Sequence, residues 1–479
     1  MEPLSPQLER LLADNRNANK PGTTKHIVLG AGAIAAIGPW FASHFPGEEA
    51  IVVSDDHTLV AAGIAVETAL SDAGVTTRRM VLEPRPGDDH LVAEDGIITA
   101  FQTLMATGPG IAVAVGAGTI NDIAKYASYK NHREYVAVPT AASMNGYTST
   151  IAAVLVGGVK RTLPCDQPVA IFADIDVLKA APAHLNQAGF GDLLSKPVSQ
   201  ADWLLSHLVR DVPYSTRPND ILEELFAELL VQAPAVGRAD AYGLTVLMEA
   251  ILVSGFSMAV AGSSAPASGG EHLVSHYWDM EQLDKGLPLL GLHGTQVGVA
   301  TRLSAMLFER LLAIDPATID PDALAARRHD ASAIDALISK HSTLSPDIVA
   351  EIRRMLVKKQ KLGPDLAAEL SKVKAHWLDI LARIGPVMLG VSAIEKALAD
   401  AGCLDRPSAL GCDRARAIHT LRVCRQMRDR YVALDLMDDL GLLDEWAEDA
   451  VVRSEIGSDA TTDAPLAAAP IAGPPNPKH

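Results

Sequence analysis

The sequence predicts a chain of two unlike halves: an α/β half on a parallel, doubly wound sheet, then a half made of helices alone. Three patterns carry that expectation. From about Lys25 to about Asp176, short β-branched runs alternate with helical stretches. Strands spaced in this way need crossover connections and therefore lie parallel. After about Leu178 those runs stop, and Leu/Ala-rich stretches with charged faces follow one another. Near the end of the first half, residues 150–163 change to two β-like segments around Gly157-Gly158, the pattern of a hairpin.

Each element follows from its residues. Residues 1–24 are mixed in charge and lack the apolar core of a signal peptide, so they read as an N-terminal extension. The α/β domain is expected over 25–178. His26–Leu29 is its first strand and runs into Gly30-Ala31-Gly32 and a helix of small residues. Ala50–Ser54 is the second, with Thr58 placed to cap a helix that ends near Gly74. Val81 lies in a third. Ile111–Val115, apolar throughout with a glycine at each end, predicts a fully buried strand. Tyr135–Val138, closed by Pro139, is another, and Val169–Ala173 is the last. A helical domain is expected over 179–455, with helices at Asp192–Val209, Ile221–Leu230, Tyr242–Ala261 and Ile348–Leu362. Its stretch at 315–345 is looser and reads as an insertion. Residues 456–479 are rich in Ala, Pro, Asp and Thr without a period, which predicts a disordered tail.

Composition removes several classes of function. The 479 residues carry 41 Lys+Arg against 58 Asp+Glu, a formal charge of −17, which offers no basic surface to a phosphate backbone. Aromatic residues at 4% leave few rings for bases to stack on. No uninterrupted apolar run of about 18 residues is present, so no membrane span is expected. Cys165, Cys403, Cys412 and Cys424 form no CxxC pair and read as buried or free thiols of a cytoplasmic protein. What remains is a cytoplasmic enzyme or scaffold.

Two turns suggest a nucleotide crevice. Gly116-Ala117-Gly118-Thr119-Ile120-Asn121-Asp122 follows the Ile111–Val115 strand and opens a helix reaching Tyr129. Glycines there let backbone approach a pyrophosphate, whose charge the N–H groups of a helix N-terminus stabilise. A plain tight turn fits the same residues. Asp122 is expected in the first helical turn, where the macrodipole favours a carboxylate. The next turn, Val138 to Ser149, holds Thr140, Ser143, Thr148 and Ser149 at the carboxyl edge of a strand. Open α/β sheets bind ligands at that edge. Capping alone explains the hydroxyls equally; two such turns on successive strands favour the crevice.

Three glycine-flanked stretches of the helical half bear acid and imidazole. Gly189-Phe190-Gly191-Asp192 places an aspartate at an expected helix start. Gly269-Gly270-Glu271-His272 begins another helix, on which His276 follows one turn after His272 and on the same face. Gly291-Leu292-His293-Gly294 surrounds a third histidine. One carboxylate with two histidines leaves a metal position open, as catalytic sites do. A single histidine of this kind is more often a hydrogen-bonded core residue, and HExxH is absent.

In this order, GAGTINDIAKY, PTAASMNGYTS, GFGDLLSK, PASGGEHLVSH, LHGTQVG and the closing RYVALDLMDDLGLLDE resemble the sn-glycerol-1-phosphate dehydrogenase family. That family sits within the iron-containing alcohol dehydrogenase and dehydroquinate-synthase-like superfamily. The likeness covers roughly Lys25 to Glu445 and implies a Rossmann-like domain, an all-α C-terminal domain, and a homo-oligomer. It implies NAD(P) on Gly116, Ala117, Gly118, Thr119 and Ile120, with Thr140, Ser143 and Ser149 on the same dinucleotide and Lys160 near it. It implies one divalent metal (Zn, Fe or Ni) on Asp192, His272 and His293. Asn145, Asp192 and His276 would meet the substrate, with His276 and Asp192 catalytic. The implied reaction is reversible reduction of dihydroxyacetone phosphate to sn-glycerol 1-phosphate.

Two departures stand out. The family usually has Asp where this chain has Asn145, and commonly has Arg where Ala265 stands. Asparagine loses the charge and cannot take a proton, and Ala265 removes a cation. They leave open a related alcohol or polyol dehydrogenase with another carbonyl substrate, and a degenerate, non-catalytic nucleotide-binding member.

Overall fold

The structure is a computed structural model that describes residues 3–85, 91–156 and 159–456. Strands β1 (His26–Gly30), β2 (Ala50–Ser54), β3 (Thr77–Val81), β4 (Ile111–Gly116), β5 (Tyr135–Pro139) and β8 (Ala170–Asp174) form one sheet in the order β1-β8-β5-β4-β2-β3. Every pairing in it is parallel. β6 (Ile151–Val156) and β7 (Val159–Pro164) make the separate antiparallel hairpin.

Side chains alternate across the sheet because a strand has a period of two. Ala112 and Ala114 share a face with Ile51 and Val53, while Val113 and Val115 share the other with Val52 and Val136. Helices Ile37–His44 and Ile64–Asp72 cover the second face. Helices Asp95–Ala106 and Gly118–Lys130 cover the first, where the same core continues into the helical half. A strand buried on both faces has no polar side, which is why Ile111–Val115 is apolar throughout.

Several boundaries differ from the expected ones for local reasons. The helix after β2 is capped by Asp55 rather than Thr58. Asp55 Oδ1 accepts the Thr58 N–H at 2.7 Å, and Thr58 Oγ1 accepts the Asp55 N–H at 3.0 Å, a reciprocal capping box. The expected helix over 192–209 is two: Ala183–Leu194 and Lys196–Arg210, joined at Ser195. Pro197 explains the break, since it has no N–H to continue a helix and suits a first turn. The chain closes on two helices, Ala433–Asp439 and Leu443–Ile456, parted by Gly441 in the left-handed region at φ 74°. The loose stretch carries its own helices, Pro321–Ala326 and Ser332–Ser339, which bury Leu324, Ile334, Leu337 and Ile338.

Within the N-terminal extension, helix Pro6–Ala18 is tied to the body where the Ser5 N–H donates to Glu249 Oε1 at 2.8 Å. Ala241–Ala261 and Trp377–Asp400 have the length and mean hydropathy of a membrane-crossing helix. The first is a core helix whose window is 78% buried, and the second is interrupted at Gly385–Val387. The four cysteines are free thiols, and Cys403 alone is not buried. The tail expected from 456 onward lies outside the described residues except for Ile456, which ends the last helix.

Candidate active site

Asp192, His272 and His293 converge from three helices: their candidate ligand atoms all lie within 4.8 Å of one another. Asp192 sits in the last turn of helix Ala183–Leu194, not at a helix start. The glycines before it serve packing instead of a turn. A Cβ on Gly189 would lie 1.7 Å from the Ala142 carbonyl oxygen, and one on Gly191 would lie 2.6 Å from that of Gly294. Only bare backbone lets this helix press against the β5 loop and against helix His293–Leu312. His272 stands on helix Gly270–Asp284, and His293 opens the helix that follows.

Neighbouring groups set the tautomer of each ring. Glu271 Oε1 is 2.8 Å from His272 Nδ1, and a carboxylate accepts, so Nδ1 carries a proton and Nε2 faces Asp192. His293 is set through a longer chain. Gln296 Nε2 donates to Asp279 Oδ1 at 3.0 Å, which turns Gln296 Oε1 toward Ser275. Ser275 Oγ donates to that oxygen at 2.7 Å, so it can only accept from His293 Nδ1, 2.8 Å away. With Nδ1 of both rings held as a donor, Nε2 is the nitrogen left to a metal, the arrangement that outer hydrogen bonds give to metal-binding imidazoles. Asp192 Oδ2 accepts the Asn145 N–H at 2.9 Å. Its Oδ1 is buried without a well-formed hydrogen bond, 3.3 Å from His272 Nε2. A buried carboxylate oxygen beside two imidazole Nε2 atoms fits a divalent cation that displaces the His272 proton.

His276 has the opposite tautomer. Its ring lies 6.2 Å from that of His272 and 5.4 Å from that of His293. Arg428 Nη2 is 3.4 Å from His276 Nδ1. A guanidinium only donates, so Nδ1 accepts and Nε2 carries the proton.

The same cavity, about 760 Å³, is lined by all four of these residues and by Ala117, Gly118, Thr119, Ser143, Asn145 and Ser149. Helix Gly118–Lys130 starts with no side-chain cap and no acid in its first turn, which leaves its leading N–H groups for an anion. A Cβ on Gly118 would lie 2.7 Å from Met144 Cγ, so the turn and the next loop close on each other without one. Gly116 and Ile120 are buried behind the turn rather than on the cavity wall, as is Thr140. Asp122 is the fifth helical residue, not a first-turn acid; its Oδ2 accepts the Ala153 N–H at 3.1 Å and so anchors β6. Lys160 lies on β7, and its side chain is outside the described residues.

Sequence reasoning missed the supports of this site. Lys125 is fully buried, and its Nζ donates to the carbonyl oxygens of Gly146 at 2.6 Å, Ile151 at 3.2 Å and Ser149 at 3.3 Å. It holds the loop that carries Ser143, Asn145 and Ser149. The Ser149 hydroxyl is engaged in this knot, 2.8 Å from Gly146 O and 2.9 Å from Ile151 O. Nor did the sequence assign Glu271, Ser275, Gln296 or Arg428, none of which stands in a motif that marks its role. The cation absent at Ala265 is supplied to that segment from far along the chain. Arg430 Nη2 donates to Ser264 Oγ at 3.0 Å, and Nη1 donates to the Ser268 carbonyl oxygen.

The family described as iron-containing alcohol dehydrogenase matches residues 28–182. A protein named glycerol-1-phosphate dehydrogenase (NAD(P)+) from Bacillus subtilis is 33% identical over 312 residues, covering 65% of this chain and 78% of that protein. The chain belongs to the glycerol-1-phosphate dehydrogenase family. A second family member, from Halalkalibacterium halodurans, is 36% identical over 258 residues, 54% of this chain and 64% of that relative's length. The fold agrees: the crystal structure of glycerol dehydrogenase from Schizosaccharomyces pombe superposes with a TM-score of 0.56 at 14% identity, covering 91% of this chain and 93% of that one.

Proposed function

We propose that the cleft reduces dihydroxyacetone phosphate to sn-glycerol 1-phosphate by reversible hydride transfer from NAD(P)H. The observation that carries this reading is the meeting of Asp192, His272 and His293, both imidazoles presenting Nε2, in the cavity that the Gly118 helix N-terminus also enters. A divalent metal held by these three side chains supplies Lewis-acid polarisation of the ketone oxygen. One carboxylate and two imidazoles suit zinc, iron or nickel alike.

The remaining work falls to the chain's own groups. The N–H groups of Gly118 and Thr119 take the pyrophosphate and so fix where the nicotinamide can reach. Asn145 Nδ2 is buried without a hydrogen-bond partner, and it offers a donor to an acceptor oxygen of the substrate. The family's usual aspartate would offer an acceptor there instead. The His276 Nε2–H would donate a hydrogen bond to the carbonyl oxygen and so stabilise the charge that develops there on reduction, with the proton of the product hydroxyl drawn from solvent. The free thiols suit the reducing cytoplasm, which we take as the location.

Replacing His272 or His293 by Ala should abolish both metal content and NADH oxidation with dihydroxyacetone phosphate. Retained metal and full activity would refute the assignment. Asn145 favours a second reading, a sister enzyme acting on another carbonyl compound. In that case the wild type ignores dihydroxyacetone phosphate and Asn145→Asp gains activity toward it.

A further inference from the structure

A second, smaller cavity of about 70 Å³ opens beside the large one, and the two share the walls Thr162, Ser264, Ser268 and His276. Its far wall is the segment Arg428-Asp429-Arg430, just before the helix that starts at Ala433. Two guanidinium groups thus stand one imidazole beyond the metal-ligand cluster. Arg428 touches His276 Nδ1, and Arg430 is fastened to Ser264 and Ser268 on the opposite side.

Carboxylates also act on this pair: Asp429 on both, Glu351 on Arg428, and Glu271 and Asp202 on Arg430. Asp429 lines the small cavity as well but is exposed, and its Oδ2 lies 3.6 Å from Lys358 Nζ. Glu351 faces Arg354 at 2.7 Å and Arg161 at 3.9 Å. Burial presses the pKa of both Arg428 and Arg430 down. Asp429 opposes this at Arg428 and Arg161 adds to it; at Arg430, Arg428 adds to it while Glu271, Asp202 and Asp429 oppose it, and in both the lowering prevails. Two like charges held together in a poorly solvated pocket are stabilised by an anion between them, and the planar fork of a guanidinium matches phosphate oxygens in pairs.

We propose that Arg428 and Arg430, with the Ser264 and Ser268 wall, form the subsite that receives the phosphate group of the substrate. The proposal rests on the functional reading above and deepens it, because it states how the cleft prefers a phosphorylated ketone to the same ketone without phosphate. It also gives Arg428 two tasks: it binds the phosphate, and it keeps His276 Nε2 protonated toward the carbonyl oxygen. A small ketone anchored at its phosphate then reaches back past His276 to the metal cluster. The pyrophosphate of the cofactor is served elsewhere, at the Gly118 turn.

The test compares dihydroxyacetone phosphate with dihydroxyacetone in the metal-loaded enzyme, with inorganic phosphate as the probe of the subsite. For the wild type, kcat/KM should favour the phosphorylated ketone, and inorganic phosphate should compete with it. Arg428→Gln and Arg430→Gln should each lower that preference by about a hundredfold, mainly through KM. Inhibition by phosphate should weaken in parallel, while KM for NADH stays unchanged. Arg428→Lys should restore part of the preference, which a merely misfolded variant would not do. If the wild type prefers the phosphorylated ketone and both Gln variants keep that preference, the subsite is wrong and the function stands. If the wild type does not distinguish the two ketones, both fall.

Discussion

Ser275 Oγ lies 2.8 Å from His293 Nδ1 and 2.7 Å from Gln296 Oε1, so this serine decides which nitrogen of His293 is left to face the cavity. Its single proton goes to Gln296, whose amide is turned by Asp279, and the ring must answer with Nδ1–H. The sequence places Ser275 between two histidines on one helix, yet nothing in that spacing shows the role.

Ser275→Ala removes the acceptor that holds this tautomer and leaves the fold intact, since the side chain is small. Metal affinity is expected to fall about tenfold, within the usual range for outer-shell partners. Competition with a chelator measures it, and unchanged circular dichroism and melting temperature separate it from unfolding. An unaltered affinity would show that the Ser275 contact does not orient the ring.

His272 couples metal binding to pH. Burial acts to lower its pKa, but the hydrogen bonds and charges of Asp192 and Glu271 outweigh burial and push it up to about 9. Below that pH the metal-free protein carries a proton on Nε2, which the metal must displace. Affinity should therefore rise with pH, by about tenfold per unit at most, and level off above about 9. Calorimetry in buffers of different ionisation heat counts the released proton. Glu271→Gln removes one raising charge and should reduce the release at neutral pH.

Lys125→Met keeps the length of the side chain and strips the ammonium from the loop it organises. The carbonyl oxygens of Gly146, Ser149 and Ile151 lose a buried donor; Gly146 O keeps the Ser149 N–H at 3.2 Å, and a group left unsatisfied costs about 1–3 kcal/mol. We expect a loss of several degrees in melting temperature together with weaker NADH binding by fluorescence titration. Stability lost with NADH affinity intact would separate the loop from the cofactor site.

Gly294→Ala tests the packing that brings Asp192 to the histidines. A Cβ there would lie 2.0 Å from the Ala188 carbonyl oxygen and 3.1 Å from Asp192 Cβ. The two helices must part, and the ligand atoms part with them. Loss of metal should accompany a destabilisation on the order of 1–3 kcal/mol, typical of overpacking. Metal analysis of the folded fraction checks it, and a full complement of metal would refute the argument.

Much of the fold is legible in local pattern. The strand Ile111–Val115 announces burial on both faces, and the alternation of strand with helix dictates a parallel sheet. Where the sequence misled, a local cue had two meanings. Gly189 and Gly191 look like a turn before Asp192, and they are the gap through which one helix meets another. Thr58 looks like a cap, and it is the third residue of a box capped by Asp55. Ala265 looks like a lost cation, and Arg430 reaches the same segment from more than a hundred and fifty residues away.

By itself, then, the sequence determined the elements and the residue types of the site: glycines after a buried strand, a carboxylate and imidazoles in the helical half. Those follow from propensity, periodicity and spacing, which act between neighbours along the chain. Only the tertiary structure decided that Asp192, His272 and His293 meet, which nitrogen each imidazole presents, and that Arg428 and Arg430 stand beyond His276. These are matters of distance and hydrogen-bond direction between residues remote in sequence, set when glycine-lined helices close on one another.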